Sequence, residues 1–154
     1  MKSIIALLTI LLASLITAAQ VRFIPKQQLA KSRLELTRRS QNGSFYDVVG
    51  RKSAAFGYEH RNMEAWVYPM KIVDDLEFYF KIDGYNLPFR GNDLLTAINV
   101  RPEATTFTYS HAAFTVKEIV YAPVDEQGLI ILLDINTRLP MSIDVSCRHR
   151  LALA

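Results

Sequence analysis

FGYEHRNMEAWVYPMKIVDDLEFYFKIDG, the stretch from Phe56 to Gly84, decides the fold. Leu76, Phe78, Phe80 and Ile82 alternate with Glu77, Tyr79 and Lys81, the period of two that marks a strand with one face on a core. From Glu64 to Met70 the alternation takes another form, with Ala65, Val67 and Pro69 on one face and Trp66, Tyr68 and Met70 on the other. That pattern predicts a strand apolar on both faces, which needs cover on both. Asp74-Asp75 predicts a break in the chain before the strand from Leu76 to Ile82.

Toward the C-terminus the signals stay those of strands and turns. Asp83-Gly84 and Asn86-Leu87-Pro88 form a loop, Gly91-Asn92-Asp93 opens a short segment through Val100, and Pro102 closes it. Phe107 and Tyr109 share one face of a strand ending at Ser110, and Phe114, Val116, Glu118 and Val120 share one face of the next, so a hairpin joins them at Ser110 to Ala113. After the turn Asp125 to Gly128, the unbroken apolar run Leu129 to Leu133 predicts a central strand buried on both sides. The last strand sets Met141, Ile143, Val145 and Cys147 on one face.

Toward the N-terminus, Phe45 to Val49 and Ser53 to Tyr58 flank Gly50-Arg51-Lys52 as a hairpin, and Gln41-Asn42-Gly43-Ser44 is a turn that also matches the N-glycosylation pattern. The turn after Tyr58 has two readings. With Arg61-Asn62 at its centre Glu59 lies opposite Glu64; with His60-Arg61 at its centre Glu59 faces Asn62. Residues 20–44 are a leader with a first strand around Leu34 and Leu36. Residues 1–19 have a basic start at Lys2, an apolar run from Ile4 to Ile16 and the small residues Thr17-Ala18-Ala19, the pattern of a secretory signal peptide. The run is shorter than the roughly 20 residues that cross a bilayer, so a secreted or periplasmic protein with no membrane association after cleavage is expected.

The sum is an all-β chain, an antiparallel β-sandwich of the supersandwich kind, occupying 45–154 and expected to be truncated at its C-terminal end. Charge excludes one class of partner. The 18 basic and 15 acidic residues are dispersed, and Arg38-Arg39 and Arg148-His149-Arg150 lack aromatic residues between them, so no nucleic-acid footprint is present. A single cysteine, Cys147, makes no internal disulfide, and an exported chain of this kind is held by its core.

Catalytic chemistry is sparse. His60, His111 and His149 stand apart with no ligand spacing, so neither metal nor cofactor is expected. Ser110 and His111 are neighbours on a strand and point to opposite faces. Glu59 and Glu64, if opposite, would lie about 5 Å apart, within the range of a retaining glycosidase pair, but nothing around them builds a sugar site. No catalytic residue is therefore expected. Trp66 and Tyr68 are the candidate functional residues, either stacking on sugar rings or packing in the core or at a domain interface, and burial of a strand apolar on both faces favours packing.

Phe56-Gly57-Tyr58-Glu59, Glu64-Ala65-Trp66-Val67-Tyr68-Pro69, Val100-Arg101-Pro102-Glu103-Ala104-Thr105-Thr106, Tyr109-Ser110-His111 and Phe114-Thr115-Val116 carry a resemblance. Across Phe45 to Leu151 the chain resembles the N-terminal β-sandwich region of bacterial six-hairpin, (α/α)6-barrel glycoside hydrolases, the glycogen-debranching or glucoamylase-like enzymes. It departs from them at His60-Arg61, where the class favours Asp-Gly. The resemblance implies a non-catalytic portion of a secreted enzyme of carbohydrate metabolism, acting on an α-glucan-like polysaccharide, with a downstream (α/α)6-barrel as its partner. The acid and base of that class belong to the barrel, so none falls on this sequence. An independent carbohydrate-binding or scaffold module is the alternative.

Overall fold

The computed structural model describes residues 34–153, so the signal-peptide and leader readings over 1–33 lie outside the described residues. Among the described residues eleven strands follow one another: β1 (Leu36–Arg39), β2 (Phe45–Val49), β3 (Ser53–Tyr58), β4 (Met63–Val67), β5 (Met70–Ile82), β6 (Phe89–Arg90), β7 (Leu95–Val100), β8 (Ala104–His111), β9 (Phe114–Tyr121), β10 (Ile130–Thr137) and β11 (Met141–Leu153). A single helical turn, α1 (Gly91–Leu94), stands before β7.

The strands form two antiparallel sheets, as the all-β sandwich reading expects. One has the order β1-β7-β8-β9-β10; the other has β11-β5-β4-β3-β2, with β6 against the far end of β5. The alternation that marked each strand selects its inner face. Phe78, Phe80 and Ile82 from β5 meet Phe107 and Tyr109 from β8 and Phe114, Val116 and Val120 from β9 in one core. Phe80 is fully enclosed, with its ring 5.4 Å from both Tyr109 and Phe114. The small inner residues of β3, Ala55 and Gly57, let the neighbouring Tyr46 ring lie over the strand and reach Phe107, 4.6 Å away.

Three expectations are corrected. Glu64 to Met70 is not one strand: β4 ends at Val67, Tyr68 and cis-Pro69 form the turn, and Met70 pairs back on Val67. Proline donates no ladder hydrogen bond, and an X-Pro pair fits a two-residue turn better than a strand interior. Asp74-Asp75 does not break the chain. Both lie inside the 13-residue strand β5, where Asp75 at φ 54° is the extra residue of a bulge between the pairings of Val73 and Leu76 with β4. The third concerns Leu129 to Leu133, which is no central strand. β10 borders its sheet, with Ile131 and Leu133 packed against the core, Leu132 beside Ile119 on the outside, and Ile130 and Ile135 each 45% exposed.

Two hairpin turns follow the sequence reading. Val49 pairs with Ala54 across Gly50-Arg51-Lys52-Ser53, and His111 pairs with Phe114 across Ala112-Ala113. The first strand is present too, shifted to Leu36–Arg39, and it pairs with β7 as a full member of its sheet. On β11, Met141 and Ile143 pack against the core while Val145 and Cys147 are exposed.

Candidate functional site

Register places the outward residues of β2, β3 and β4 on one surface. Phe45 pairs with Tyr58, Asp47 with Phe56, Val49 with Ala54, Ala54 with Trp66 and Phe56 with Glu64. Directly paired residues share a face, so these side chains form the outer surface of the sheet, away from Tyr46, Val48, Ala55 and Met63. Phe45 is 56% exposed, Tyr58 is 49% exposed, and Phe45 lies 6.3 Å from Phe56 and 5.5 Å from Tyr58, the latter edge-on. An aromatic patch on the outside of a sheet is the chain's clearest surface for a partner.

The two residues singled out from sequence take different positions. Trp66 lies on this outer face, half-buried, with the Lys71 ammonium 5.4 Å from its ring centre. Its indole Nε1 is buried without a hydrogen-bond partner among the described residues. Lys71 is itself held by Glu64, with Asp74 at 3.7 Å. Tyr68 sits in the β4–β5 turn, 40% exposed, with its backbone N–H on the Lys52 carbonyl at 2.9 Å. The two rings are therefore not successive steps of one strand face. Phe45, Phe56 and Tyr58 were missed because the hairpins on which they sit had read as short apolar segments, with no sign of which face was outward.

The carboxylate pair does not form. Phe56 pairs with Glu64 and Gly57 with Met63, so both readings of the turn fail. The turn closes from Arg61 N–H to the Tyr58 carbonyl at 3.0 Å, with His60 at φ 62°. Glu59 is wholly buried, where it accepts two hydrogen bonds from the Arg38 guanidinium and one from Gln41 N–H at 2.6 Å. His60 adds a contact from Nδ1 to the Asn92 carbonyl at 2.9 Å and one from Nε2 to Ser40 Oγ at 3.1 Å. These groups clasp β1 and the β7 sheet to the β3–β4 turn. A carboxylate so engaged is a structural tie.

Two more buried carboxylates border a cavity of about 20 Å³ beside Tyr46, Asn92 and Tyr109, the size of one water molecule. Glu77 accepts from Arg90 at 2.9 Å, Asn92 at 2.8 Å and Tyr79 at 2.8 Å. Its charge holds the Arg90 guanidinium above its ordinary pKa and, by accepting their hydrogen bond, raises that of the Tyr79 hydroxyl. Glu118 stands on the core face of β9 and accepts from the Tyr109 hydroxyl at 2.5 Å. Burial pushes its carboxyl up to about 7, and burial also raises Tyr46 and Tyr109. The cavity is too small for a substrate.

No group of metal-ligating side chains occurs among the described residues. His111 belongs to an aromatic cluster at one end of the sandwich, 4.4 Å from Phe89 and 5.5 Å from Tyr85, and the side chain of His149 lies outside the described residues. No helix among the described residues is long and apolar enough to cross a membrane. Comparison with protein families, with curated proteins and with solved structures finds no match to this chain.

Proposed function

We propose that this chain is the non-catalytic β-sandwich portion of a secreted glycoside hydrolase acting on α-glucan-like carbohydrate, and that the outer face of β2–β4 packs against a helical-barrel catalytic domain. The observation that carries the reading is the aromatic patch of Phe45, Phe56 and Tyr58. A sheet surface of this composition favours protein contact, because aromatic residues supply much of the buried area at interfaces. The buried carboxylates support the non-catalytic part, since Glu59, Glu77 and Glu118 each serve a partner within the fold. The resemblance from Phe45 to Leu151 supplies the carbohydrate context and the identity of the barrel. Sequencing the DNA beyond the Ala154 codon tests it. The expected result is a frame that continues into a long region of helical periodicity; a stop codon with no helical frame beside it sinks the proposal.

A carbohydrate-binding module is the second reading, favoured by the exposure of Phe45 and Tyr58 beside Asp47 and Glu64. Two details weigh against it. The Phe45 and Tyr58 rings meet at 69° and present no common plane to a sugar, and Lys71 occupies one side of Trp66. Titration of the full chain with maltooligosaccharide and glycogen separates the readings. The intrinsic fluorescence is expected not to move; a saturable change that disappears in Phe45→Ala or Tyr58→Ala favours the module.

A further inference from the structure

We propose that β11 pairs antiparallel with β11 of a second copy, about a two-fold axis through Ser146, joining the two larger sheets into one. β11 is a border strand, and among the described residues no strand pairs with its outer edge. Border strands of monomers are normally blunted by proline, lysine, a bulge or short length. From Met141 to Arg148 this one has none of these; the bulge that β11 does carry, one extra residue between His149 and Ala152, lies beyond that run. The sequence Met-Ser-Ile-Asp-Val-Ser-Cys-Arg holds neither proline nor lysine, and the irregularity near Arg148 arises from the extra residue Asp75 on β5.

Charge complementarity points to a second copy as the occupant. Centred on Ser146, an antiparallel pair sets Asp144 opposite Arg148 of the second copy and Arg148 opposite its Asp144, and the symmetry makes both pairs at once. Both side chains stand on the outer face and are solvent-accessible, Arg148 by 79%. Arg148 is paired with Asp75 on the β5 side within its own chain, and its guanidinium has further donors for a second carboxylate at the free edge. On the inner face the same register sets Val145, 56% exposed, opposite the exposed Cys147 of the second copy, which covers both. A centre at Cys147 instead sets Ser146 opposite Arg148 and gives up the Asp144–Arg148 pairs.

The pairing leaves the aromatic patch free, because β2–β4 lie at the other side of the sheet from β11. It therefore stands or falls independently of the proposed function. Sedimentation of the full chain over a range of concentrations should show a reversible monomer–dimer equilibrium. Asp144→Arg places two arginines against each other on each side of the axis and should weaken the dimer by about tenfold or more, and adding Arg148→Asp should restore it. Val145→Cys should give a covalent dimer on mild oxidation through Cys147 of the other copy, which reads the register directly. A monomer at every concentration overturns the proposal, as does a dimer indifferent to Asp144→Arg or one that oxidises through Cys147 to Cys147 alone.

Discussion

Glu118 shows what one residue costs and controls in this core. It occupies a place in the alternation of Phe114, Val116 and Val120 where an apolar side chain would fit the pattern, and it is 3% exposed. Burial outweighs the Tyr109 hydrogen bond and raises its carboxyl from 4.5 to about 7. A raised carboxyl means that the folded protein binds the proton more tightly than the unfolded chain does. The stability this proton contributes is fully present below about pH 4.5 and is lost as the pH rises through 7. The shift corresponds to on the order of 3 kcal/mol. Urea denaturation should therefore show a falling midpoint between pH 5 and 8. Glu118→Gln keeps an acceptor for Tyr109 and removes the titration, so its midpoint should stay flat across that window. An equal slope in the variant would place the titration on another group.

Elements follow from local pattern where one face of a strand is dry and the other wet, and β5, β8 and β9 were legible for that reason. Two of the pattern's failures show why it falls short elsewhere. A bulge leaves the backbone extended while adding a residue, so Asp74-Asp75 looked like punctuation although β5 runs through it. An apolar run has no sign for burial depth, so β10 looked central although it borders its sheet. Trp66 was legible as a residue of interest, but Phe45, Phe56 and Tyr58 joined it only through the pairing of β2, β3 and β4, which no single strand encodes. Close approach between elements also leaves its mark on composition. A methyl group on Gly57 of β3 would lie 2.5 Å from the hydroxyl of Tyr46 on β2, and that ring is fixed against Phe107. Gly57→Ala should lower stability by about 1 to 3 kcal/mol by thermal or urea unfolding, and Tyr46→Phe in the same chain should recover part of the loss by removing the crowded hydroxyl. No recovery would mean that the backbone, not the ring, takes the strain.

At the scale of the whole molecule, the two sheets are assembled from different parts of the chain. β2, β3, β4 and β5 pair in sequence order, as do β7, β8, β9 and β10. Two of the border strands do not: β1 pairs with β7, and β11 pairs with β5. Time is the consequence. Hairpins between neighbouring strands close small loops, whereas β1 and β11 must wait until distant partners exist, and closing the larger loops is slower. During refolding, amides of β3, β4, β8 and β9 should gain protection from hydrogen exchange before those of β1 and β11. Simultaneous protection of all of them would argue for one concerted step. A late β11 also leaves the flank of β5 open for the longest interval, with its backbone groups able to accept a strand from any chain nearby. Crowded refolding should then favour exchange of β11 between molecules, so that the conditions under which this protein is made bear on whether it ends as separate copies or entangled ones.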